Sequence, residues 1–140
     1  MAELLHRMAW LQDRRQWDQL GNILADPIDV SYDGDTKPAT VSQTDVITNW
    51  RETLERVSNT QHILTGIVVD LDGDRAVARL NETVWLSDPG ARGSALFSFG
   101  TFMRVTLRRT GREWRIAELA VTPIWSDGNA SIVHGWRPPA

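Results

Sequence analysis

The chain is expected to fold as an α+β domain, and two observations lead there. Apolar residues recur at helical spacing through most of the first 57 residues. From Thr60 onward nearly every segment is rich in β-branched residues or alternates, with turn signals between the segments. Helices followed by strands is the order of a layered α+β fold rather than of repeated βαβ units. At 140 residues the chain is read as one domain over 1–140, long enough to bury a core.

The elements follow in order. Leu4, Leu5, Met8 and Leu11 or Gln12 mark a helix over 3–15. Asp13-Arg14-Arg15-Gln16 is a polar break. Trp17, Leu20 and Leu24 then begin a second short helix, ending near Ala25-Asp26-Pro27. Ile28 to Tyr32 alternates as a short strand, Asp33-Gly34-Asp35 turns it, and Thr36 to Thr40 reads as loop. Ser42 caps a third helix, with Asp45 three residues on and an apolar stripe of Val46, Ile47, Trp50, Leu54 and Val57. Residues 60–71 and 75–86 form a hairpin across Asp72-Gly73. Leu96 to Thr110 and Glu113 to Trp125 form another, and Ser87 to Ser94 is the loop between the two hairpins. The tail over 130–140, with Arg137-Pro138-Pro139, is expected to be irregular. Long strands of this kind make a curved antiparallel sheet, with the helices packed into its concave side.

Composition narrows the function. The chain is 41% hydrophobic and 24% charged, with a net charge of -3 and no basic cluster, which argues against nucleic acid. No apolar run is long enough to span a membrane. Glu3, His6 and Arg7 stand where a signal peptide needs an apolar core, so a cytoplasmic location is expected. Without cysteine there is no thiolate chemistry, and His6, His62 and His134 are too scattered for a metal-ligand motif. No metal and no cofactor is expected. Seven tryptophans are the compositional signature; core packing accounts for most, and two or three are assigned to a pocket for a small hydrophobic molecule.

The strand 60–69 is the one to examine for chemistry. Strict alternation puts His62, Leu64, Gly66 and Val68 on one face, and Ile63, Ile67 and Val69 on the other. A histidine on an apolar face is either a core residue bonded to a carbonyl or an acid/base. Bulky apolar residues on both faces point to a cavity or helices on one side and a second subunit on the other, hence a homodimer. On strand 96–108 the face Phe97, Phe99, Thr101, Met103, Val105 and Leu107 is expected to point inward. On 75–86, Glu82 falls among Ala78, Leu80, Val84 and Leu86, with Arg79, Asn81, Thr83 and Trp85 opposite. Glu82 reads most simply as half of a salt bridge to a neighbouring strand's arginine.

Several motifs now combine. Asp13-Arg14-Arg15-Gln16-Trp17-Asp18-Gln19-Leu20, Tyr32 at a strand end, Thr60-Gln61-His62, Gly111-Arg112-Glu113-Trp114-Arg115-Ile116 and Thr122-Pro123-Ile124-Trp125 with Asp127-Gly128-Asn129 occur in order. Over about residues 3–128 the chain resembles the SnoaL-like polyketide cyclases and the scytalone dehydratases of the nuclear transport factor 2-like superfamily. The resemblance implies a cone-shaped sheet enclosing an apolar pocket. It also implies His62 backed by Asp13 as the acid/base and Tyr32 as donor to a substrate carbonyl. Trp50, Trp85, Phe97, Phe99, Thr101 and Met103 are assigned to the pocket wall. The match is incomplete. Gln12 stands where the family has a second tyrosine, Ser87 falls near its second histidine, and Thr101 and Met103 replace a serine and an asparagine. The limonene epoxide hydrolase arrangement fits less well, since Arg79 and Asn81 stand where arginine and aspartate are wanted.

The expected function is a cofactor-free cyclase, isomerase or lyase of polyketide-type metabolism. It would act on a hydrophobic enolisable substrate, by His-centred proton transfer or by pocket-templated cyclisation. A non-catalytic ligand-binding protein and a scaffold with a filled core are the alternatives.

Overall fold

The structure is a computed structural model that describes residues 1–34 and 37–133. Of the tail expected to be irregular, Ala130–Ile132 instead forms a 3₁₀ turn that buries Ile132, and the part beyond 133, with His134 and Trp136, lies outside the described residues. Helix α1 spans Ala2–Asp13, α2 Trp17–Leu20 and α3 Gln43–Leu54; the strands are β1 Leu24–Ser31, β2 Ala39–Val41, β3 Asn59–Asp72, β4 Arg75–Ser87, β5 Leu96–Thr110 and β6 Glu113–Gly128. One sheet holds all six strands in the order β2-β1-β6-β5-β4-β3.

Both hairpins form where the turn signals put them. Gly73 and Gly111 take φ of 60° and 65° at the tight turns, a conformation that glycine adopts without a Cβ penalty. Ser42 caps α3, its hydroxyl accepting from the Asp45 N–H at 3.0 Å, an interaction worth about 1 kcal/mol. Helices α1 and α2 lay Leu5, Met8, Leu11, Trp17 and Leu20 against Ala78, Leu80, Met103, Val105 and Leu107 of the sheet. That packing is the main core. Val57, Val84, Leu86, Phe97 and Ile132 form a smaller cluster toward the other end of the sheet.

Four further expectations are corrected. The sheet is mixed rather than antiparallel, because β1 runs parallel to β6. The second helix stops at Leu20, and Leu24, which fits helical spacing, opens β1 instead. Pro27 sits where the β1–β6 register shifts between Leu24 and Asp29, a position that needs no ladder N–H. Residues 39–41, read as loop, pair with Val30 to Ile28 as a three-residue edge strand.

The fourth correction concerns the histidine strand. β3 carries one extra residue between Thr65 and Val68 relative to β4. Gly66 takes φ of 62° there, as a β-bulge requires. The bulge reverses the alternation. Ile67 and Val69 join His62 and Leu64 on the core side, while Val68 turns to solvent. The apolar residues that strict alternation spreads over both faces are therefore mostly on one.

Candidate active site

Asp13 is the last residue of α1, where a carboxylate meets the negative end of the helix dipole. The second helix has Gln16 as its N-cap, so Asp13 does not cap it. What holds the carboxylate is β3. Its Oδ2 accepts the His62 backbone N–H at 2.8 Å, and its Oδ1 accepts from His62 Nδ1 at 2.6 Å and from the Thr60 hydroxyl at 3.1 Å. β3 is an edge strand, and α1 covers its free edge at this point. A carboxylate only accepts, so Nδ1 carries a proton, and in the neutral imidazole the lone pair lies on Nε2. Among the described residues Nε2 has no hydrogen-bond partner. The side chains are largely sheltered, His62 at 8% and Asp13 at 17% exposure.

Arg15 extends this network. It is the one non-glycine residue with positive φ among those described, at 59°. The turn aims its guanidinium at β3, donating to Thr60 Oγ1 at 2.8 Å and to the Val57 carbonyl at 2.9 Å. Arg15 thus fixes Thr60, and Thr60 donates to Asp13. Burial lowers the Arg15 pKa, against the pull of Asp13 and Glu55. A stretch of polar residues after a helix gave no sign of that role.

Glu82 faces the same side as His62. In the sheet it lies between Leu64 on β3 and Thr101 on β5, one step along the face from the row His62–Val84–Phe99. Among the described residues no arginine bridges it: Arg79 and Arg104 are on the opposite face, paired with Asp70 and Glu118. Glu82 is only 9% exposed and Thr101 3%. Burial raises the Glu82 pKa above the usual carboxylate range; His62 opposes this, Asp13 adds to it, and the nearby Thr101 hydroxyl opposes it slightly. The Thr101 hydroxyl is close enough to be felt but misses hydrogen-bond geometry, and Oγ1 has no other partner among the described residues.

A carboxyl with a raised folded-state pKa binds its proton more tightly folded than unfolded. Its contribution is full below the unfolded pKa and is lost as pH rises through the folded one. Glu82→Gln is therefore expected to be more stable than the wild type at neutral pH. The advantage should shrink as pH falls and level off below about pH 3, where the glutamate is neutral in both states. Denaturant titrations across that range check it; parallel curves would contradict it.

Tyr32 follows the end of β1, and its hydroxyl accepts from Trp50 Nε1 at 3.1 Å. The residue is 43% exposed, but its hydroxyl end is tucked in, and burial raises its pKa against the Trp50 bond. Having accepted from Trp50, the phenol keeps its own proton to donate. No hydrogen bond joins this pair to Asp13 and His62 among the described residues. Phe97, Phe99, Thr101 and Met103 face inward as expected, with Phe97 in the smaller cluster and Met103 in the main core. Trp85 does not: it lies on the outer face, opposite Ser98, and is 43% exposed. No group of three or more potential metal ligands lies together among the described residues.

A family model, the SnoaL-like domain, matches residues 1–120. The chain belongs to the SnoaL-like family. Structurally, this SnoaL-like domain is similar to the Kfla4162 protein of Kribbella flavida, with a TM-score of 0.85 at 25% identity over 94% of this chain and 92% of that one. It is similar to a scytalone dehydratase-like protein of Novosphingobium aromaticivorans, with a TM-score of 0.77 at 12% identity over 99% and 89%. It is also similar to a type 2 LinA hexachlorocyclohexane dehydrochlorinase, with a TM-score of 0.75 at 15% identity over 97% and 89%. At such identities these likenesses establish the fold alone. No curated protein matches the sequence significantly.

Proposed function

We propose that this SnoaL-like domain is a cofactor-free lyase or isomerase that removes a proton next to a carbonyl in a hydrophobic, polyketide-type molecule. The observation that carries the reading is the Asp13 grip on His62. The carboxylate accepts from ring Nδ1 at 2.6 Å, which sets the tautomer, and from the His62 backbone N–H at 2.8 Å, which ties the strand to it, and Nε2 is left to take a proton. Tyr32 supplies a donor for the carbonyl oxygen as it gains charge. Two structural neighbours bear the names of eliminating enzymes, a dehydratase and a dehydrochlorinase, which agrees with this chemistry.

The test uses conjugated enones and β-hydroxy ketones with wild type and His62→Ala, followed by tryptophan fluorescence and by mass spectrometry of the products. Turnover by the wild type and a loss of about 10²–10⁴-fold in the variant is the expected result. Binding by both proteins with the ligand returned unchanged would move the reading to a ligand-binding protein. Turnover undiminished in the variant would leave only templated cyclisation.

The domain pairs with a second copy through the outer sheet face. Ile63, Trp85, Phe102 and Trp125 are each half exposed there, on four successive strands. Sedimentation should give a dimer, and Phe102→Glu should shift it toward monomer; a wild type that sediments as a monomer would end this reading.

A further inference from the structure

We propose that Glu82 is the acid of the site, delivering its proton to a departing hydroxyl, so that the substrate is a β-hydroxy carbonyl compound rather than a halide. The inference rests on the reading of His62 as base. Glu82 stands in the wrong place for packing. Along the inward face of β4, Ala76, Ala78, Leu80, Val84 and Leu86 are all but fully buried, and Glu82 sits in the middle of them. Its register neighbours are Leu64 and Thr101, neither of which can neutralise a charge. An apolar side chain would fill that row without the cost of desolvating a carboxyl.

The groups that face Glu82 give it a use. His62 and Asp13 are the ionisable groups whose fields reach it, and the Thr101 hydroxyl is beside it, buried and unpaired. With no cation but a potential imidazolium facing it among the described residues, the buried carboxyl is held in its neutral form, able to donate. Chloride leaves carbon as a stable anion and needs no proton. Hydroxide is a poor leaving group and needs one.

The step balances. His62 Nε2 takes the proton from the carbon next to the carbonyl. That C–H pair becomes the new C=C bond, the C–O bond at the β-carbon breaks, and the leaving oxygen takes the Glu82 proton and departs as water. Imidazolium and carboxylate then stand as a pair, and proton return from His62 to Glu82 restores both. Formation of the imidazolium itself favours the ionised form of Glu82, so the two transfers assist each other. The unpaired Thr101 hydroxyl is placed to hold the departing oxygen.

The experiment compares β-hydroxypropiophenone with β-chloropropiophenone, which give the same enone, on wild type, Glu82→Gln and His62→Ala. Infrared difference spectra between wild type and Glu82→Gln at neutral pH provide an arm that needs no substrate. Expected are a protonated-carboxyl band lost in Glu82→Gln and hydroxy-ketone turnover down about 10²–10⁴-fold in that variant. The chloro-ketone should continue to turn over in Glu82→Gln, and His62→Ala should lose both reactions. Absence of the band overturns the acid, whatever the substrate does. Equal loss of both substrates in Glu82→Gln, or no loss of either, also overturns it while leaving the base standing. A wild type that eliminates neither compound removes base and acid together.

Discussion

Asp13→Asn is expected to give a folded protein with the imidazole proton on the wrong nitrogen and turnover reduced by about 10³–10⁴-fold, the scale seen when a carboxylate behind a catalytic histidine is neutralised. The reason is arithmetic over donors. Asp13 accepts three hydrogen bonds, two at Oδ1 and one at Oδ2. An asparagine offers one oxygen and one NH₂ in the same space. If the oxygen stays with the His62 backbone N–H, the NH₂ meets Nδ1 and the Thr60 hydroxyl. Nδ1 must then accept, and the ring proton moves to Nε2, which stops being a base. If the oxygen stays with Nδ1, the NH₂ faces a backbone N–H, donor against donor. Either outcome leaves a sheltered group mismatched, for about 1–3 kcal/mol of stability. Nitrogen-15 spectra of the imidazole read the tautomer without any substrate. A variant that keeps the wild-type tautomer and full turnover would show that Asp13 positions the ring only by packing.

How much of this was legible in the sequence depends on the range of the interaction. The hairpins were readable because Asp72-Gly73 and Thr110-Gly111 act within a few residues. The Ser42 cap was readable for the same reason. The parallel pairing of β1 with β6 was not, because nothing in Ile28 to Ser31 names a partner nearly 90 residues away. Leu24 misled because Leu20 and Leu24 fit a helix, and only the pairing of Leu24 with Ile116 decides for strand. The Gly66 bulge was hidden by its own symmetry: apolar residues on both sides of the glycine make either register look sensible. The link between Asp13 and His62 came from family resemblance, and no local rule connects positions 49 residues apart. Glu82 was visible as a carboxylate in an apolar series. The sequence suggested an arginine partner, and the pleat sends the candidate arginines to the other face. The places where local rules failed, Asp13 at a helix C-terminus, Arg15 at positive φ and Glu82 in the core, all gather around one histidine. Such clustering of costs is what a site under functional demand produces.

The glycines near Trp125 make the last expected result a contrast. In the Phe102→Glu background, where no second copy covers the outer face, Gly128→Ala should destabilise by about 2–5 kcal/mol and Gly100→Ala by much less, although Gly100 has the shorter clash. A Cβ on Gly100 would lie 2.0 Å from Trp125 Nε1, but the obstacle is a side chain, 42% exposed on the outer face, that can swing toward solvent. A Cβ on Gly128 would lie 2.5 Å from the Leu96 carbonyl oxygen and 3.2 Å from the Phe97 Cα, both backbone. Its φ of 95° is also one that L-residues rarely adopt. Relief requires parting the end of β5 from β6. That would free Asn129, whose N–H bonds Leu96 and whose side chain holds the Arg92 and Ser94 carbonyls of the β4–β5 loop at 2.8 and 2.9 Å. Phe97, paired with Gly128, anchors the smaller cluster, so its packing with Val84 and Leu86 would loosen as well. Urea unfolding of the two variants measures the contrast. Equal losses in that background would mean that packing within the chain locks Trp125 in place; in the dimer, where a second copy covers Trp125, the Gly100→Ala loss should be the larger of its two values.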